Sequence, residues 1–254
     1  MIATPALQLL VAGQSAMWEL ARNQPAGWLT QDEQSRLDSL SRSGRRQEFL
    51  ACRYALRHLL AWAGGMPIEH WQLDAKQGKT PQLNVDHHGA DAAAAFNLSL
   101  SHSDLFLACA VASKPVGIDL EVLNPVTHRI NVLTLAEMAC SAREIDYLKS
   151  INCESLQRQQ FLRCWSLKEA YFKFMGSGVD FSTIRLLECR PLIESGFHVL
   201  AYAKSWQGIT DQGQEIFLAI CTKESIPESQ LTVGSDIAWH QECDWSLIGL
   251  SSDK

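Results

Sequence analysis

Apolar positions recur along this chain with two periods, and the switches between them outline its elements. Thr30-Gln31-Asp32-Glu33 has the form of a capping box, which opens a short helix running to about Leu40. A longer helix is expected from Arg45 to Trp62. Phe49, Cys52, Leu56, Leu59 and Leu60 form its buried stripe, and Gly64-Gly65 ends it. Further helices fit 127–139 and 142–150, the second opened by another capping box, Ser141 to Glu144. Phe161, Trp165, Leu167 or Lys168, Phe172 and Met175 then recur at three- and four-residue steps until Gly176 and Gly178 stop them. Two-residue alternation marks strands at Trp71–Leu73, Phe96–Leu100, Leu105–Val111, Gly117–Val122, Phe197–Ala203, Ile216–Thr222 and Leu231–Ala238. The mixture predicts an α+β fold of two similar-sized halves, residues 1–115 and 116–254, joined near Val111 to Val116. No sequence repeat links the halves.

Composition narrows the class. A chain of 254 residues, 46% hydrophobic and 20% charged, can bury a sizeable core and shows no sign of disorder. A formal charge of −6 argues against nucleic-acid binding that depends on overall basicity. The eight cysteines show no Cys-x-x-Cys pair and no metal-ligand spacing with histidine, so they read as buried reduced thiols of a cytoplasmic protein. The first eighteen residues are uncharged but lack a basic flank, and polar residues interrupt their apolar run. Neither a signal peptide nor a membrane span is expected.

The chemistry concentrates in two segments. On the strand Gly117-Ile118-Asp119-Leu120-Glu121, the alternation aims Asp119 and Glu121 to one side. On the helix Trp165-Ser166-Leu167-Lys168-Glu169-Ala170-Tyr171-Phe172-Lys173, Glu169 and Lys173 share a face. Taken singly these are a solvated strand face and a surface ion pair. Taken together, three carboxylates converging on one point repel unless a cation lies among them. An all-oxygen set suits Mg²⁺, with Mn²⁺ the alternative, and a nearby lysine fits a phosphate-bearing substrate. Arg46, Arg53 and Arg57, joined by Arg42 and Arg45, make a basic ridge on the first long helix, whose simplest reading is a solvated face.

Other patterns fail. Gly78-Lys79-Thr80 lacks the earlier glycine of a phosphate loop, that position being Leu73. Ser101 to Asp104 holds triad residue types but no nucleophile elbow. His87-His88 reads as an exposed loop, and Trp62, Trp71, Trp165 and Trp206 read as core.

Gly117 to Glu121 followed by Trp165-Ser166-Leu167-Lys168-Glu169-Ala170 and Lys173 resembles the signature of the Sfp-type 4'-phosphopantetheinyl transferases. Phe96 to Ser103 is similar to that family's Asn-x-Ser-x-Ser-His-Ser block. Gly78-Lys79-Thr80-Pro81 is similar to its Gly-Lys-Pro element with Thr80 inserted. The likeness runs from about Arg46 to about Gly178. It implies two related halves with pseudo-twofold symmetry and a cleft between them for coenzyme A. It also implies transfer of the 4'-phosphopantetheine arm of coenzyme A to a serine of an acyl or peptidyl carrier protein, releasing adenosine 3',5'-bisphosphate. By motif position, Asp119, Glu121 and Glu169 are the metal ligands, with Glu169 also the candidate base. Lys173 contacts the α-phosphate, and Ser101 and His102 bind the pyrophosphate side. Lys79, Arg46 and Arg53 bind nucleotide phosphate. Ser177 stands where many relatives have lysine. A monomer that binds neither nucleic acid nor membrane is expected. The competing readings are a metal-dependent hydrolase of the coenzyme A pyrophosphate and a non-catalytic carrier-protein binding module.

Overall fold

The computed structural model describes residues 7–76, 80–123, 131–192, 198–226, 231–234 and 237–250. The chain divides into two compact units, Met1–Val116 with Pro227–Asp236, and Gly117–Ile226 with Ile237–Lys254. Among the described residues, no helix is long and apolar enough to cross a membrane.

The first unit has β1 (Leu7–Gly13) and α1 (Gln14–Arg22), which begin in the uncharged stretch where no element was expected. It continues with α2 (Gln31–Asp38), α3 (Ser43–Gly64), the short α4 (Val85–His88) and α5 (Ala90–Ala94), β2 (Asn97–Ser103) and β3 (Phe106–Ala112). The expected strand at Trp71–Leu73 reduces to a single bridge, Leu73 to Leu83. Its sheet runs β2-β3-β1-β8, where β8 (Leu231–Gly234) pairs parallel with β1. Pairing therefore returns a late segment of the chain to the first unit. The apolar stripe of α3 packs on Leu98, Leu107, Cys109 and Val111. Gly65 ends α3 at φ 66°, a left-handed value that glycine adopts without strain.

The second unit contains β4 (Val116–Val122), α6 (Val132–Ala139), α7 (Ala142–Ser150), α8 (Glu154–Phe174), β5 (Leu187–Pro191), β6 (Val199–Ile209), β7 (Glu215–Thr222) and β9 (Ala238–Gly249). Of the helix expected over 127–139, residues 127–130 lie outside the described residues. The strand expected over 231–238 is divided, since β8 belongs to the first sheet and β9 to the second. The second sheet is ordered β4-β7-β6-β9-β5. Leu167 and Ala170 of α8 pack on Ala201, Ala203, Ala219, Cys221 and Leu247. The alanines among them let the helix lie close to the sheet.

The two units repeat one device. Both expected capping boxes form, Thr30 with Glu33 at α2 and Ser141 with Glu144 at α7. In each, the glutamate also binds a buried cation on the next long helix, 24 residues on. Glu33 takes Arg57 Nη1 at 2.9 Å, and Glu144 takes Lys168 Nζ at 2.7 Å. Three neighbouring strands also follow a like order, β1-β3-β2 in one unit and β4-β7-β6 in the other, within sheets of four and five strands.

Several expectations change. Arg53 and Arg57 are 6% and 1% exposed, so their part of the ridge is not a solvated face, while Arg42 and Arg45 remain exposed. Trp62 is 48% exposed and outside the core. His87 is exposed, but the partly buried His88 accepts the Gln72 amide on Nε2 at 3.0 Å. Among the cysteines, all of them free thiols, Cys153 is exposed and Cys164, Cys189 and Cys243 are half-buried.

Candidate active site

β4 places its two carboxylates as the alternation required, with Asp119 buried and Glu121 half-buried. Gly117 explains how α8 reaches them. A Cβ there would lie 1.9 Å from the Ala170 carbonyl oxygen and 2.4 Å from the Phe174 amide nitrogen. Only glycine lets the helix backbone press onto this face of the strand. The contact falls on the turn that carries Glu169 and Lys173.

Lys173 Nζ donates to Asp119 Oδ1 at 2.7 Å and stands 4.0 Å from Glu169 Oε2. Glu121 Oε1 accepts the Trp165 indole N–H at 3.0 Å. Trp165 is therefore a positioning residue at the site, not only a core residue, and its place in the Trp-Ser-Leu-Lys-Glu run was the available signal. Burial pushes the Glu169 carboxyl up to about 7; the Asp119 charge pushes the same way, and Lys173 opposes both. A second carboxylate nearby, incompletely neutralised, is what a cation would relieve. The oxygen donors and the raised ionisation of Glu169 suit a hard divalent ion, which would have to displace the Lys173 ammonium from Asp119.

The other expected residues lie in the first unit. Ser101 is buried on β2. His102 is exposed, with Nε2 3.4 Å from Glu48 Oε1, and Glu48 also pairs with Arg45 at 2.6 Å. Sequence reasoning missed Glu48, which has no motif to mark it. Arg46 donates to the Leu37 carbonyl at 2.6 Å and keeps an exposed side chain. Arg53 donates to the Asp74 carbonyl at 2.9 Å and lies 3.7 Å from Glu33. Lys79 lies outside the described residues. The structure therefore gathers Asp119, Glu121, Glu169 and Lys173 around one helix and strand, while Arg53 is occupied by its own unit.

Comparison with known proteins agrees with the sequence motifs. Residues 115–221 match the profile of the 4'-phosphopantetheinyl transferase superfamily, a stretch that includes β4 and α8. The chain is 31% identical over 178 residues to the 4'-phosphopantetheinyl transferase HetI of Nostoc sp., covering 67% of this chain and 72% of that protein. It is 31% identical over 137 residues to the 4'-phosphopantetheinyl transferase psf-1 of Bacillus pumilus, covering 52% and 53% of the two chains. With the 4'-phosphopantetheinyl transferase Sfp of Bacillus subtilis, the identity is 31% over 84 residues, covering 33% and 35%. On these matches and the signature segments that β4 and α8 carry, the chain belongs to the 4'-phosphopantetheinyl transferase superfamily.

Proposed function

We propose that this protein transfers the 4'-phosphopantetheine arm of coenzyme A to a serine of an acyl or peptidyl carrier protein, as a cytoplasmic monomer. The observation that carries the reading is the Asp119, Glu169 and Lys173 cluster, within the segment matched by the family profile.

Asp119, Glu121 and Glu169 would hold Mg²⁺. When bound, the ion supplies charge neutralisation on the pyrophosphate of coenzyme A. The serine oxygen forms a bond to the phosphorus that bears the pantetheine arm, and the bond from that phosphorus to the bridging oxygen breaks. Adenosine 3',5'-bisphosphate departs. Glu169 receives the serine proton, for which a carboxyl near neutrality is suited. Lys173 offsets the charge that develops on the departing phosphate. Ser101 and His102 bind the pyrophosphate side and Arg46 and Lys79 bind nucleotide phosphate, whereas Arg53, buried against the Asp74 carbonyl and Glu33, braces its own unit instead of binding phosphate.

The test is intact-mass analysis of apo carrier proteins incubated with coenzyme A, Mg²⁺ and either the wild type or the Glu169→Gln variant. The expected result is gain of the phosphopantetheine mass, slowed on the order of 100-fold or more in the variant. Cleavage of coenzyme A without carrier modification would establish the hydrolase instead. Carrier binding with neither reaction would establish the binding module.

A further inference from the structure

The second unit holds a cluster of soft donors that the proposed transfer reaction does not use. Cys140 ends α6, Glu144 lies in the first turn of α7, Cys164 is on α8, and Cys189 is on β5. The ligand atoms of Cys140, Glu144 and Cys164 all lie within 4.8 Å of one another. The two sulfurs are 3.9 Å apart. A tetrahedral zinc ion with metal–sulfur bonds of about 2.3 Å holds its sulfurs about 3.8 Å apart. Cys189 adds a third thiol: its amide donates to Glu144 Oε1 at 2.8 Å, and its side chain lines the same cavity as Cys164 and Glu144. That cavity, of about 70 Å³, borders Glu144, Cys164 and Cys189.

Charge and hydrogen bonding are also compatible with an ion. Three thiolates and a carboxylate around a divalent cation carry surplus negative charge. The fully buried Lys168 ammonium, 2.7 Å from Glu144 Oε2 and 2.8 Å from the Ala139 carbonyl, offsets part of it. Glu144 Oε2 also accepts the Ser141 amide at 2.7 Å, so the carboxylate is held in place from two sides, as outer-shell bonds hold a metal ligand.

The geometry points to a structural zinc site formed by Cys140, Cys164, Cys189 and Glu144, separate from the carboxylates of the transferase site. Its ligands come from four elements, α6, α7, α8 and β5. A bound ion would brace the helix that carries Glu169 and Lys173. Thiolate donors select a borderline-soft ion over Mg²⁺, so the two sites would not exchange metals.

The experiment uses the reduced, metal-stripped full chain with excess Mg²⁺, titrated with Co²⁺ as a spectroscopic probe and then with Zn²⁺. We expect sulfur-to-cobalt charge-transfer absorption that saturates at one equivalent and is displaced by Zn²⁺, with a higher thermal midpoint in the zinc form. Cys140→Ser and Cys164→Ser should each weaken binding about 100-fold or more, while Cys153→Ser, at an exposed thiol, leaves it unchanged. X-ray absorption of the zinc-loaded wild type, which needs no variant, should show mainly sulfur ligands. An all-oxygen or nitrogen shell, absence of the charge-transfer band, or its persistence in both cysteine variants would overturn the proposal. So would closure of a Cys140–Cys164 disulfide in place of metal uptake.

Discussion

Glu169 is a side chain costly to the fold that the proposed chemistry would use. Its carboxyl titrates near 7 because burial and the Asp119 charge disfavour the anion. For a carboxyl raised in the folded state, the stability present below its unfolded value is lost as pH rises through the folded value, here about 7. The metal-free protein should therefore be less stable at pH 8 than at pH 5 on account of this group. Glu169→Gln, which cannot ionise, should stabilise the metal-free protein at pH 8 by on the order of 1–3 kcal/mol and change little at pH 5. Chemical denaturation at the two values measures this, and Mg²⁺ should remove most of the difference. A variant equally stable at both values relative to wild type would refute the electrostatic account.

At the scale of elements, two close contacts set the geometry. Gly117→Ala places a methyl group against the main chain of α8, which has no flexible side chain to yield. It should cost about 3 kcal/mol or more, read as a lower urea midpoint. By shifting Glu169 and Lys173 it should also reduce transferase turnover on the order of 100-fold in the fraction that folds. A Gly117→Ala protein with wild-type midpoint would mean that the helix can lift without penalty. The second contact is the Glu33–Arg57 pair, in which Glu33 is fully buried and also closes the capping box of α2. Glu33→Gln leaves the Arg57 cation buried without its counter-charge, so a loss of about 3–5 kcal/mol is expected. An exposed ion pair, such as Arg22 with Glu19, should by contrast change stability by less than about 1 kcal/mol when broken.

For the whole molecule, two compact units share a like order in three strands of their sheets and the same cap-to-helix ion pair, although no residue repeat announces it. What the sequence determined by itself is local. Capping boxes, the 3.6-residue stripes of α3 and α8 and the alternation of β4 depend on neighbours a few residues apart, so they were legible, as was the sharing of one face by Asp119 and Glu121. The family signature was legible for the same reason, since its residues lie within short runs on single elements. Other features depended on partners distant in the chain. The partner of Lys168 is not legible until Glu144 reaches it, and Arg57 reads as part of a basic face until Glu33 does. β1 was hidden by its polar interruptions, and β8 was assigned to the wrong strand because pairing with β1, not local alternation, decides its sheet. Cys140, Cys164 and Cys189 have no ligand spacing along the chain. Only the packing of α8 against α6, α7 and β5 brings them together, because long-range burial places side chains according to the whole unit and not the sequence interval between them.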